Sequence, residues 1–225
     1  MDFRPFVISI QVAFTATVVT FFLGLAAANL VYRMKRGKGI VDTIFTLPMI
    51  LPPTVAGFFL LTTFGRQGFI GRFLENFDIR IVFSLSGAII ASIFVAFPLM
   101  YRTARGAFEQ IDQNVIFAAQ TLGFSKMRIF WIIKVPMAKA GILAGAVLAF
   151  ARALGEFGAT MMLAGNIPGR TQTMAIAVFS AVNTGNTHLA YTWVAILTFM
   201  SFAMIMLMNY WGSPRRRRAK NVTRS

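Results

Sequence analysis

The sequence predicts an all-α, polytopic membrane bundle of about five transmembrane helices, N-terminus outside and C-terminus inside, with a further helical segment on the cytoplasmic face. Three observations predict it. Of the 225 residues 57% are hydrophobic and 13% are charged, about half the charged share of a soluble domain. The apolar residues gather in runs of about 20, the length a helix needs to cross a hydrocarbon layer. The basic residues, 22 Lys and Arg against 7 Asp and Glu, collect on one side of those runs. With no Cys the chain is no disulfide scaffold, and its hydrophobicity excludes disorder.

The first span, 6–31, contains no charged residue and stops at Arg33-Met34-Lys35-Arg36-Gly37-Lys38. Ala26-Ala27-Ala28 has the look of a signal-peptide cleavage site, but the apolar run is too long and no basic segment precedes it. The second span, 44–64, carries Pro48, Pro52 and Pro53, so its first half must be kinked or unwound. A polar, Gly-containing loop, 65–80, leads to the third span, 81–101. The fourth, 138–163, is expected to continue past Leu154 through the apolar Met161-Met162-Leu163. A Gly- and Thr-rich segment, 155–173, overlaps its end. Residues 174–182 are apolar but too short to cross and read as a re-entrant or surface helix. The fifth span, 189–211, precedes a basic tail, 213–225, containing Arg215–Arg218. The whole chain, 1–225, reads as one transmembrane domain.

Charge placement gives the orientation. With five crossings, sixteen of the 22 basic residues face the cytoplasm, five face outward, and Arg152 sits at the outer end of the fourth span. This is the positive-inside asymmetry. A sixth crossing would leave the Arg215–Arg218 tail outside. The net charge of +15 therefore requires no nucleic-acid partner. The tail reads as a topology anchor, with attraction to anionic membrane lipid as an added role.

The cytoplasmic stretch 108–136 carries the functional signal. Phe108, Ile111, Val115, Ala118 and Leu122 recur at three- and four-residue steps, a helical stripe. Asp112 is placed to cap its start, and Gly123 to take the left-handed position at its end. Ser125 then caps a second helix, 126–135, which Pro136 ends. Such an element suits insertion into a partner's groove, with Ala118 and Ala119 permitting close approach. An ordinary interfacial elbow fits the same pattern.

The run Phe117-Ala118-Ala119-Gln120-Thr121-Leu122-Gly123, followed by Ile133-Lys134-Val135-Pro136, resembles the "EAA" loop of ABC importer permeases. Phe117 stands where that family usually has Glu, which implies an apolar contact in place of a salt bridge. Further blocks are similar to molybdate ABC transporter permeases, with sulfate permeases close behind. They are 47–57 (Leu-Pro-Met-Ile-Leu-Pro-Pro-Thr-Val-Ala-Gly), 64–71, 150–160 (Phe-Ala-Arg-Ala-Leu-Gly-Glu-Phe-Gly-Ala-Thr) and 165–173. The resemblance covers nearly the whole chain. It implies a homodimer, an ATP-binding cassette ATPase dimer on the cytoplasmic side and an oxyanion-binding protein outside. The coupling residues it implies are Asp112, Phe117, Ala118, Ala119, Leu122, Gly123 and Pro136. Molybdate is the implied substrate, with tungstate or sulfate as alternatives. The chain itself is expected to bind no cofactor, ATP and Mg being used by the ATPase.

No residues suggest catalysis or a metal site. His188 is the only His and reads as interfacial. Glu156, four residues after Arg152, is the acid placed in the membrane, and the two can pair at one helix face. They serve either as a charged element at an outer gate or as a snorkelling pair that fixes a helix end. Pro52 and Pro53 mark a break lining the translocation path or a kink for packing. Thr160 and its neighbours offer hydroxyls to a passing oxyanion. A membrane enzyme would need acid–base or metal residues in the bilayer, and a passive channel would not need the coupling segment.

Overall fold

The computed structural model describes residues 2–212; the basic tail with Arg215–Arg218 lies outside the described residues. Regular structure among them is helical throughout: α1 (Arg4–Arg33), α2 (Lys38–Ile50), α3 (Pro53–Phe64), α4 (Phe69–Glu75), α5 (Leu85–Glu109), α6 (Gln113–Thr121), α7 (Lys126–Met137), α8 (Lys139–Leu154), α9 (Gly158–Ala164), α10 (Met174–Asn183) and α11 (Thr187–Gly212). By length and apolar content α1, α5 and the 187–208 part of α11 can each cross a membrane. The bent pairs α2–α3 and α7–α8 raise the number to five if each is one span.

The centre is a pillar of three helices, with α5 packed along both α1 and α8. Lipid offers little hydrophobic drive for helix association, so close approach through small residues has to supply it. A Cβ on Gly24 would stand 2.6 Å from Met100 Cγ, and one on Gly145 would stand 3.1 Å from both Met100 Sδ and Thr103 Cβ. Met100, Tyr101, Ala104 and Phe108 are fully buried along this seam. Their spacing also explains why α5 runs on to Glu109 rather than ending near Tyr101. The polar residues after 101 sit on the outer side of a helix whose apolar face is still buried.

The second span is broken in two, and the break falls within its first half, where the prolines place it. Leu51 and Pro52 both take extended backbone (ψ 135° and 138°), because each precedes a proline and the α conformation is sterically disfavoured there. The axes of α2 and α3 turn by 110° across them. Pro48 sits inside α2 without ending it.

The fourth span also departs from expectation. It does not continue to 163: α8 ends at Leu154, and Met161-Met162-Leu163 belong to the separate short α9. The loop 65–80 likewise contains a helix, α4.

Pro136 does not end the cytoplasmic helix. A π turn over Phe130–Lys134 lets Val135 N–H reach Phe130 O, and this register shift precedes the residue that has no N–H to give. The helix then runs to Met137 and bends by 77° into α8 at Ala138.

The two broken regions pack on each other. A Cβ on Gly57 would lie 2.7 Å from Met162 Cβ and 2.9 Å from Ala159 Cα, and one on Gly158 2.6 Å from Pro53 Cβ. Substituting Gly57→Val is expected to cost about 1–3 kcal/mol through overpacking against backbone that cannot yield. Thermal unfolding in detergent checks it, with Gly39→Ala, whose Cβ meets nothing within 4 Å, expected to leave the midpoint unchanged.

Candidate functional site

The elbow α6–α7 is built by local capping. Asp112 Oδ1 accepts from Asn114 N at 2.9 Å and starts α6. At the other end Gly123 takes φ +76°, where a side chain would be strained. Gly123 N donates to Gln120 O at 2.9 Å and Phe124 N to Ala119 O at 3.1 Å, the paired bonds of a Schellman end. Ser125 Oγ accepts from Arg128 N at 3.3 Å and opens α7, while the Arg128 guanidinium lies 4.4 Å from the Phe124 ring centre. Asp112, Gly123 and Ser125 thus stand in the roles their positions predict.

The faces differ from the predicted stripe. Phe108 and Ile111 are buried, but α6 turns Ile116 and Ala119 inward, leaving Val115, Phe117, Ala118 and Leu122 exposed. The three- and four-residue steps run across the turn at 110–112, where helical phase is lost, so one stripe becomes two faces. The outer face carries Phe117 at 57% exposure and Leu122 at 75%.

The second constellation is the break between α8 and α9. Arg152 Nη1 lies 2.5 Å from Glu156 Oε2. Glu156 Oε1 accepts from Ala159 N at 2.8 Å, satisfying one of the free amides at the start of α9. The expected pair therefore forms, although α8 has already ended. The Glu156 side chain is 1% exposed and that of Arg152 33%. Arg152 faces a cavity of about 240 Å³ that Pro48, Leu51 and Pro53 also line. Pro53 and Arg152, far apart in sequence, are thus brought together, and Pro52 flanks them at the chain break. Thr160 is fully enclosed, its Oγ1 without a hydrogen-bond partner among the described residues, so it lines no open passage in this structure.

At the far side of α3, the blocks 64–71 and 165–173 meet. Arg66, Arg80 and Arg170 converge with Glu75 on a cavity of about 720 Å³. His188 is exposed at the start of α11. Among the described residues no three His, Asp or Glu side chains gather to hold a metal ion.

One cluster has no counterpart in the sequence reading. Asp42 on α2 accepts from Tyr101 Oη at 2.8 Å and pairs with Arg105. Arg105 Nε reaches Glu109 Oε1 at 3.0 Å, which Lys38 Nζ meets at 2.7 Å. The signal was the four-residue spacing of Lys38 with Asp42, and of Tyr101, Arg105 and Glu109. It ties the first half of the broken span to the central pillar.

Residues 20–218 match the family of binding-protein-dependent transport system inner membrane components. The chain belongs to this family. Among its relatives, YvgM of Bacillus subtilis, provisionally named a molybdenum transport system permease, is 45% identical over 92% of each chain. The molybdenum transport system permease ModB of Escherichia coli K12 is 37% identical over 93% of each. The fold is shared with solved ABC importers. The MetNI methionine transporter aligns with a TM-score of 0.74 at 18% identity, covering 92% of each chain. A bacterial alginate importer aligns at 0.70 and 14%, covering 92% of this chain and 77% of that one, in complex with an alginate-loaded periplasmic protein. This family member is accordingly a membrane-embedded transport component, and its relatives are permeases rather than enzymes.

The unequal burial of Arg152 and Glu156 gives an asymmetric expectation. Arg152→Met strands a buried carboxylate and is expected to cost about 3 kcal/mol. Glu156→Gln keeps an acceptor for Ala159 N–H and leaves a cation that can reach water, so it is expected to cost less than half as much. Denaturation of the two variants in matched detergent checks the order.

Proposed function

We propose that the chain is the permease subunit of an ABC importer that moves molybdate across the cytoplasmic membrane, powered by ATP hydrolysis in a separate subunit. The observation that carries it is the capped elbow α6–α7 with its outward apolar face, in a chain aligned over 93% of its length with a permease named for molybdenum transport. A passive pore has no use for such a face. The ATPase would receive Phe117, Ala118 and Leu122 in a groove, the apolar Phe117 replacing a charged contact with a packed one. Gly123 and Asp112 fix the angle of the elbow, and the bend after Pro136 passes its displacement to α8.

The orientation is N-terminus out, with the elbow in the cytoplasm, as the basic residues require. Two copies of the chain would face each other across the path. The Arg-lined cavity near Arg66 and Arg170 would then open toward an oxyanion-binding protein outside. ATP and Mg belong to the ATPase. The Arg152–Glu156 break and the adjoining Pro52-Pro53 break lie where α3 and α9 meet, and they are the gate we assign. A transport path must release what it binds, so a cation already neutralised by Glu156 serves better there than a free one.

The test is uptake of labelled molybdate by cells whose only molybdate permease is this chain with its own ATPase and binding protein. Phe117→Asp removes an apolar anchor and is expected to lower both uptake and ATPase co-purification at least about tenfold, an anchor loss of ~1.4 kcal/mol or more, at unchanged membrane level. Unchanged uptake contradicts the coupling role. Equal suppression of uptake by excess sulfate and by unlabelled molybdate would contradict selectivity for molybdate and widen the substrate to sulfate.

A further inference from the structure

We infer that the pocket between the end of α1 and the α6–α7 elbow is a binding site for a phosphate-type anion, either the headgroup phosphate of an anionic lipid or free phosphate. The pocket has a volume of about 370 Å³, and Tyr32, Arg33, Lys35, Gln113, Lys126 and Lys134 are among the residues that line it. Four of these are cations, and no carboxylate is among the described residues of the lining.

Lys134 is the unexplained member. Its residue is 4% exposed, yet among the described residues it has neither a carboxylate nor a hydrogen-bond acceptor. Its ammonium lies 3.7 Å from the centre of the Tyr32 ring, a contact that offsets only part of the cost of burying a charge. Burial and the nearby Arg33 charge push the group down to about 8. An anion in the pocket would supply the missing partner and relieve the repulsion at once.

The walls are set before any ligand arrives. Gln113 Nε2 donates to Tyr32 Oη at 2.5 Å, which leaves the Tyr32 hydroxyl proton free to point at an acceptor. Arg33 Nη2 donates to Lys126 O at 3.3 Å, joining the end of α1 to the start of α7. The charged groups and the phenol are then all donors, which suits a ligand with only acceptor oxygens. The pocket sits at the end of the membrane-crossing α1, beside the exposed Met127, Trp131 and Ile132 of α7. That is the depth at which basic pockets meet lipid headgroups. The inference does not depend on which substrate is transported.

The test follows thermal unfolding of the purified full chain in neutral detergent. Short-chain phosphatidylglycerol, short-chain phosphatidylcholine or inorganic phosphate is added. The expected result is stabilisation by phosphatidylglycerol, by phosphate or by both, and none by phosphatidylcholine. Lys134→Met is expected to raise the half-effective concentration at least about tenfold. Lys35→Gln, an exposed position that folding does not need, is expected to shift it the same way. Stabilisation by phosphatidylglycerol alone assigns a lipid headgroup; stabilisation by phosphate assigns a site open to the free anion. No stabilisation by either, or equal stabilisation of wild type and both variants, overturns the inference. It is also overturned if the variants lose ATPase association while their anion response is unchanged, since the pocket would then receive a carboxylate of that subunit.

Discussion

With one carboxylate oxygen on the Arg152 guanidinium and the other on the Ala159 amide, Glu156 closes the region where α8 ends and opens α9. In water a helix can end anywhere, because solvent satisfies the freed amides and carbonyls. In a bilayer it cannot, and a broken helix persists only where protein groups replace the water. Glu156 does this from a fully buried position while its charge is balanced by an arginine that still reaches the cavity beside Pro53. The second break, at Leu51-Pro52, is then supported by the first, through the contact of Gly158 with Pro53 and of Gly57 with Met162. Two local irregularities thereby become one packed unit.

That unit is mechanically placed. Toward the elbow, α2 is tied to α5 through Asp42, Tyr101 and Arg105, and α5 is packed against both α1 and α8. The elbow joins α8 through a bend rather than a loop, with a π turn that absorbs Pro136. The outward face of α6 is thus joined to Arg152 through the turn at Gly123, α7 and the 77° bend at Ala138. Small residues keep the pillar close-packed.

The features legible in the sequence were those set by local chemistry. The caps at Asp112 and Ser125 and the left-handed Gly123 follow from single residues whose side chains or φ preferences act within one turn. The kink near Pro52 follows from ring sterics. The end of the fourth span was not legible, because Met161-Met162-Leu163 look apolar enough to continue α8. The helix stops at Gly155, and a hydrogen bond from Ala159 N to the Glu156 carboxylate starts the next one, which hydropathy does not record. The faces of α6 are not legible for a related reason: periodicity carries no information across a turn. The Asp42–Arg105 network and the basic pocket at Lys134 unite residues more than 60 positions apart, and only the packing of α1, α2 and α5 with the elbow brings them together.

The central claim is that this chain couples ATP hydrolysis in a separate subunit to movement of one oxyanion. The measurement that meets it most directly is ATPase activity of the complex reconstituted in proteoliposomes, with the binding protein loaded in turn with molybdate, tungstate and sulfate. The account predicts that the molybdate-loaded protein stimulates hydrolysis and that the stimulation disappears with Phe117→Asp in the permease. Stimulation that is equal with the unloaded binding protein, or that survives Phe117→Asp at full size, would contradict it.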